Sequence, residues 1–234
     1  MIPLRDDNPS RSAPVVTVVL LAANILVFLY EMSLGPEIEE LVFKMGLIPA
    51  EVTSAVRFEP HLPLPLTFLT SMFLHGDLMH LAGNMLYLWI FGNNVEDEAG
   101  HAGFALFYLV SGLAAAAAQI VAMPGSEVPM IGASGAIAGV LGGYMVLFPH
   151  ARVLTMIPIF FFIRLVYLPA VLMLGLWFVY QVVLSNMTSS TGGGVAFFAH
   201  IGGFVAGAIL IFAFRRPRRE AARRYRAWAR YGDD

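Results

Sequence analysis

Long apolar runs separated by short polar clusters dominate this chain, and the length of the runs is the first readable signal. A helix needs about 20 mostly apolar residues to cross the hydrocarbon core of a bilayer. That ruler marks six spans, at about 15–33, 78–95, 103–122, 134–149, 166–185 and 196–214. An even number places both ends of the chain on one side. The first span follows Arg5 and Arg11 as a signal peptide would, but it is long for one and no small-x-small cleavage pattern stands near Glu31, so it reads as a retained helix. The pattern predicts an all-α, polytopic membrane protein. Residues 1–14 form a short N-terminal segment, 15–214 a six-helix membrane domain with one long external loop at 34–77, and 215–234 a basic tail.

Composition sharpens this picture. Apolar residues make up 58% of the chain and charged residues 13%. An ordinary soluble domain has roughly 45–50% and 25%, so a soluble globular class is excluded. Cysteine is absent, which removes disulfides, thiolate catalysis and Cys-bound metal. The net charge of −2 says little, but the placement of the fourteen Lys and Arg residues says more. Arg5, Arg11, Arg152, Arg164 and the tail from Arg215 to Arg230 fall on the side of the termini, and only Lys44 and Arg57 fall opposite. Basic loops stay cytoplasmic, so both termini are expected in the cytoplasm. The loop at 94–102, with Glu96, Asp97 and Glu98, carries no Lys or Arg and adds nothing to orientation. The Arg-rich tail either meets anionic headgroups or is simply solvated.

The 34–77 loop mixes helical spacing in "PEIEELVFKMGLIPAEV" with the turn-rich "RFEPHLPLPL", and is expected to be partly helical and to rest in the membrane interface. The "AAAAA" at 114–118 reads as close helix packing. The Gly-rich stretch at 189–198 is either a mobile cap or a plain connector, and Asn186-Met187-Thr188 matches a glycosylation acceptor by chance spacing.

Polar residues in or near the spans are the candidates for chemistry, because they are costly there. His80 and Asn84 lie four apart on one face near the external end of the second span, either as interhelical glue or as part of a cavity. His75 and Asp77 just before them read as capping or structural residues. The fourth span opens "GASGAIAG" and carries a stripe of Gly135, Gly139 and Gly143. On the sixth, His200 shares a face with Gly203 and Gly207. Two glycine-faced helices approach closely, and both start from the external side. Their packing would therefore bring Ser134 within reach of His200. Taken singly, each residue also fits a structural role, since a serine in a membrane helix commonly bonds its own backbone.

The pairing has a chemical rationale. A serine hydroxyl becomes a nucleophile when a neighbouring imidazole takes its proton. The oxyanion that follows needs donors, and a helix start offers unpaired backbone N–H groups and the positive end of the helix dipole. His80 and Asn84 add side-chain donors from the second span.

These residues carry a resemblance. "GASGAIAG" (132–139), "AHIGGFVAG" (199–207) and "HLAGN" (80–84), each at the external end of a span, resemble the rhomboid intramembrane serine proteases over about 15–214. The resemblance implies Ser134 as nucleophile and His200 as general base in a dyad without a third carboxylate. It implies His80 and Asn84 as the oxyanion-stabilising pair and Gly132 as the loop glycine before the nucleophile. It also implies a single-span membrane protein as substrate, cut near the external face and admitted laterally between the second and fifth spans. Trp177 and Phe178 either line that gate or pack against lipid or core. Two features depart from the family. Ala138 stands where members often carry an aromatic that stacks on the histidine, and the frequent Trp-Arg pair of the first external loop is not found in "PLPLTFLTSMFLHG".

Rival readings fit less well. A transporter would show broken helices and ionisable groups deeper in the spans, a metalloprotease its His-Glu-x-x-His, and an aspartyl protease paired Asp residues inside spans. The soluble-hydrolase elbow fails because position 136 is Ala. A catalytically inactive rhomboid-like binder of transmembrane clients is the nearest alternative. No cofactor, metal or nucleic acid is expected. The expected location is a multi-pass cytoplasmic membrane, with lipid as surroundings and the site opening outward.

Overall fold

The computed structural model describes residues 1–54, 57–58, 62–159, 162–187 and 196–216. Its helices are α1 (Val15–Ser33), α2 (Ile38–Met45), α3 (Pro49–Thr53), α4 (Leu64–Thr70), α5 (Leu78–Ala99), α6 (His101–Ala122), α7 (Ser134–Leu147), α8 (Ala170–Met187) and α9 (Phe197–Phe214). By length and composition, α1, α6, α8 and α9 are suited to crossing a membrane. α5 matches them in length but carries Asn84, Asn93, Asn94 and the acidic run at 96–98, and α7 has only 14 residues, about 21 Å.

Burial is inverted relative to a water-soluble protein. Leu26, Leu29 and Val179 on the outer helices are more than half exposed, whereas α7 is enclosed along most of its length. The outward apolar surface is what a bilayer solvates. The core gathers Phe91, Phe104, Phe107, Tyr108, Leu141 and Tyr144 between α5, α6 and α7.

The all-α expectation needs correcting. The chain is mostly helical, but β1 (Ile2–Asp6), β2 (Arg152–Ile159) and β3 (Phe162–Pro169) form an antiparallel sheet in the order β1-β2-β3. β2 and β3 are a hairpin in full register from Arg152↔Pro169 to Ile159↔Phe162. The helix of the fifth predicted span, α8, consequently starts at Ala170 rather than 166, and that of the fourth, α7, ends at Leu147 rather than 149. The apolar run at 166–169 is strand because the ladder with β2 satisfies its backbone groups.

The acidic run at 96–98, silent for orientation, has a structural use. α5 continues through it to Ala99, and Gly100 at φ +76° turns the chain sharply into α6. This places the buried Glu96 carboxylate under the start of α1, where it accepts from the N–H groups of Val16 and Thr17, both at 2.8 Å, and from Thr17 Oγ1 at 2.7 Å. The first residues of α1 offer no side-chain cap of their own, so a carboxylate from another helix satisfies the orphan donors and the dipole.

The 34–77 loop holds the short helices α2, α3 and α4. It packs inward through Leu47 and Ile48, both fully enclosed, with Leu47 in one cluster with Ala116 and Ile120 of α6. Most of the Gly-rich stretch, Thr188 of the acceptor sequence and the tail beyond Arg216 lie outside the described residues.

Candidate active site

Two glycine stripes set the site. α7 and α9 pack so closely that a Cβ added at Gly203 would run into the carbonyl oxygen of Gly135, and one at Gly207 into that of Gly139. Gly142, outside the predicted stripe, stands likewise against the Phe204 backbone, whereas Gly143 faces Phe107 and Ile211. The alanine run of α6 completes the seam, with Ala115 against Gly135 and Ala118 against Gly202.

At the end of this seam where both helices begin, Ser134 Oγ lies 2.7 Å from His200 Nε2. His200 is 8% exposed and Ser134 half-buried. The serine opens α7, so the N–H groups of that first turn have no carbonyl four residues back inside the helix. Gly132 at φ +116° carries the chain into this turn, with its N–H donating to the Ser71 carbonyl at 2.8 Å. A Cβ at Gly132 would come within 2.8 Å of His80 Nε2 and 3.7 Å of Asn84 Nδ2. Glycine is therefore required there twice, by conformation and by space. His80, Asn84 and Gly132 thus converge beside Ser134. Asn84 Nδ2 is enclosed and has no hydrogen-bond partner among the described residues.

The approach to α5 is firmly built. Asp77 caps the helix, its carboxylate accepting from the His80 N–H at 2.8 Å. His75 does not cap. Its own N–H donates to the buried Glu31 carboxylate of α1 at 3.1 Å, its Nδ1 lies 3.1 Å from the Phe73 carbonyl, and its ring meets that of His80 edge-on at 5.1 Å. Burial, assisted by the neighbouring His80, pushes the His75 imidazole down to about 4, so this ring is neutral at physiological pH.

The sequence reading did not find Gln181. From α8, its Oε1 lies 2.9 Å from His200 Nδ1. Trp177, one turn earlier on the same helix, sets its ring 5.9 Å from the imidazole at 36°, and Phe197 meets the imidazole edge-on at 6.4 Å. These contacts hold the His200 ring although Ala138 occupies the position of the expected aromatic. Phe178 packs on Phe204 instead, at 4.8 Å. A cleft of about 930 Å³ opens over the pair, lined by His80, Asn84, Ser134, Trp177, Gln181 and His200 among others. Its lining is mostly apolar, with Asp77, His80, Asn84, Ser134, Gln181 and His200 among its polar members. Such an arrangement can bind an extended apolar segment and attack a carbonyl on it.

Comparison with known proteins agrees in kind. Rhomboid protein 1, mitochondrial, of Saccharomyces cerevisiae is 37% identical over 93 residues, covering 38% of this chain and 27% of that protein. The rhomboid protease GluP of Bacillus subtilis is 43% identical over 77 residues, 33% of this chain and 15% of the relative. The human presenilin-associated rhomboid-like protein, mitochondrial, is 31% identical over 129 residues, 52% and 34%. The chain thus spans about a third or less of the length of these relatives. The model of the rhomboid domain matches residues 65–217, about two thirds of the chain and every residue that meets at the cleft. The chain belongs to the rhomboid family.

Proposed function

We propose that this protein is an intramembrane serine endopeptidase that cuts single-span membrane proteins near the extracytoplasmic face. The observation that carries the reading is the 2.7 Å contact between Ser134 Oγ and His200 Nε2, both of which line the cleft. His200 Nε2 takes the hydroxyl proton as Ser134 Oγ bonds to the substrate carbonyl carbon, and the carbonyl electron pair moves to its oxygen. Asn84 Nδ2 and His80, both beside Gly132, and the first-turn N–H groups of α7 are the donors available to that oxyanion. The protonated imidazole then gives its proton to the leaving amine. Water, activated by the same histidine, releases the acyl group and regenerates Ser134.

Six crossings, by α1, α5, α6, α7, α8 and α9, give the reading its topology, with both termini cytoplasmic. The cleft is lined from both α5 and α8, by Met79, Gly83 and Tyr87 on one and Trp177, Tyr180 and Leu184 on the other. This supports lateral access for a substrate helix between them. Such a helix must unwind to present a peptide bond, so helix-weakening Gly or Pro near the cut is favoured. The test uses purified protein and a model transmembrane substrate. Ser134→Ala and His200→Ala should each abolish cleavage while thermal unfolding stays near wild type, since a pair acting as a unit loses nearly everything with either member. Equal cleavage by wild type and Ser134→Ala would overturn the assignment, and binding of the substrate without cleavage by the wild type would favour an inactive client binder.

A further inference from the structure

Gln181 is 5% exposed on a mostly apolar helix, and its amide oxygen meets the imidazole nitrogen that does not face the serine. A neutral imidazole carries one N–H and one lone pair. With Nδ1–H donating to Gln181 Oε1, the lone pair sits on Nε2, toward the Ser134 hydroxyl. The opposite amide orientation would put an NH₂ against Nδ1, force the ring proton onto Nε2, and leave the serine with no base. Which end of this amide faces the ring therefore decides whether the pair can react.

We propose that Gln181 is the positioning residue of the catalytic pair: an uncharged third member whose oxygen fixes the tautomer and the direction of His200. This deepens the protease reading and rests on it. A carboxylate in this place would put a buried charge into an otherwise neutral membrane site, at a desolvation cost that an amide avoids. Trp177, one turn away on the same face of α8, lies against the ring while Gln181 holds its edge. One helix face thus does what an aromatic at position 138 would otherwise share. The ring needs both constraints, because a hydrogen bond alone leaves it free to tilt and a stacked neighbour alone leaves the tautomer unset.

The experiment compares wild type, Gln181→Met and Gln181→Glu in substrate cleavage and in labelling by a serine-directed fluorophosphonate. Methionine keeps the length and loses the acceptor. Its kcat should fall between about tenfold and a thousandfold with KM unchanged, less than the ~10⁴-fold that the wrong tautomer costs a Ser-His-Asp site, because no charge is removed here. Glutamate keeps the acceptor and should recover most of that rate. The added charge favours the protonated ring, so the acid limb of the pH profile should move to higher pH. Wild-type kcat in Gln181→Met would overturn the inference. So would a Gln181→Glu pH profile that coincides with wild type, a reading that decides even where the methionine variant does not fold. Absence of Ser134-dependent labelling in the wild type would instead remove the protease reading, and this inference with it.

Discussion

Asn84 brings a side-chain amide into an enclosed position and leaves its Nδ2 without a partner among the described residues, an unfavourable state that a ligand accepting from the donor would relieve. In the proposed reaction, the nascent oxyanion beside Ser134 is such a ligand. Donors of this kind are worth on the order of 2.7–4 kcal/mol where they have been removed singly. Asn84→Ala and His80→Ala should thus each lower kcat by more than tenfold without reaching the zero of Ser134→Ala. An unchanged rate in the double variant would make α5 a purely structural wall. At this scale the sequence disclosed the residues whose types are rare in membrane helices. His80, Asn84, Ser134 and His200 stand out of an apolar background because each is costly there. Gln181 has the same cost but no glycine stripe or paired histidine beside it, and only the packing of α8 against α9 reveals its partner. Trp177 was visible, but its closeness to the imidazole was not, since nothing local says which way α8 is rotated.

Helix pairs are held at a spacing that only glycine allows. The spacing of Gly135 and Gly139 on α7 and of Gly203 and Gly207 on α9 announced that pairing, because small residues three or four apart line one face. The structure adds that the contact is backbone to backbone, with nothing flexible to yield. A side chain at Gly207 would have to displace the Gly139 peptide, and a shift of about 1 Å in a reacting pair costs on the order of a hundredfold in rate. Gly207→Val, two turns from His200, should therefore cut both substrate cleavage and fluorophosphonate labelling by at least about tenfold. Undiminished labelling in both Gly203→Val and Gly207→Val would mean that this seam does not position the pair. Other element-scale features were illegible for definite reasons. The Glu96 cap on α1 joins residues 80 apart, beyond the reach of any local capping signal. The sheet was hidden because "RVLTMIPI" and "FIRLVYLP" are apolar at nearly every position, so the alternation that marks a strand with one wet face is missing.

The whole molecule has two unlike ends, and α7 connects them. Ser134 and the cleft lie at its start, and the sheet begins five residues past its last turn, beside the start of α1 that Glu96 caps. Arg5, Arg11, Arg152, Arg164, Arg215 and Arg216 fall at the sheet end, whereas the 34–77 loop holds Lys44 and Arg57. This is the charge asymmetry that retains loops in the cytoplasm. The short α7 fits the same picture. At about 21 Å it falls short of a hydrocarbon core of about 30 Å, so a serine at one end of it stands below one membrane surface if its other end reaches the opposite face, and in the proposed reaction substrate and water meet there. The chain contains no cysteine, so single cysteines report orientation without background. Glu127→Cys, exposed between α6 and α7, and Arg164→Cys, exposed on β3, mark the two ends. In intact cells a membrane-impermeant maleimide should label Glu127→Cys at once and Arg164→Cys only after permeabilisation. The reverse pattern would place the cleft on the cytoplasmic side and overturn the topology. Labelling of both positions from outside would mean that α7 does not cross, and that the sheet end shares a face with the site.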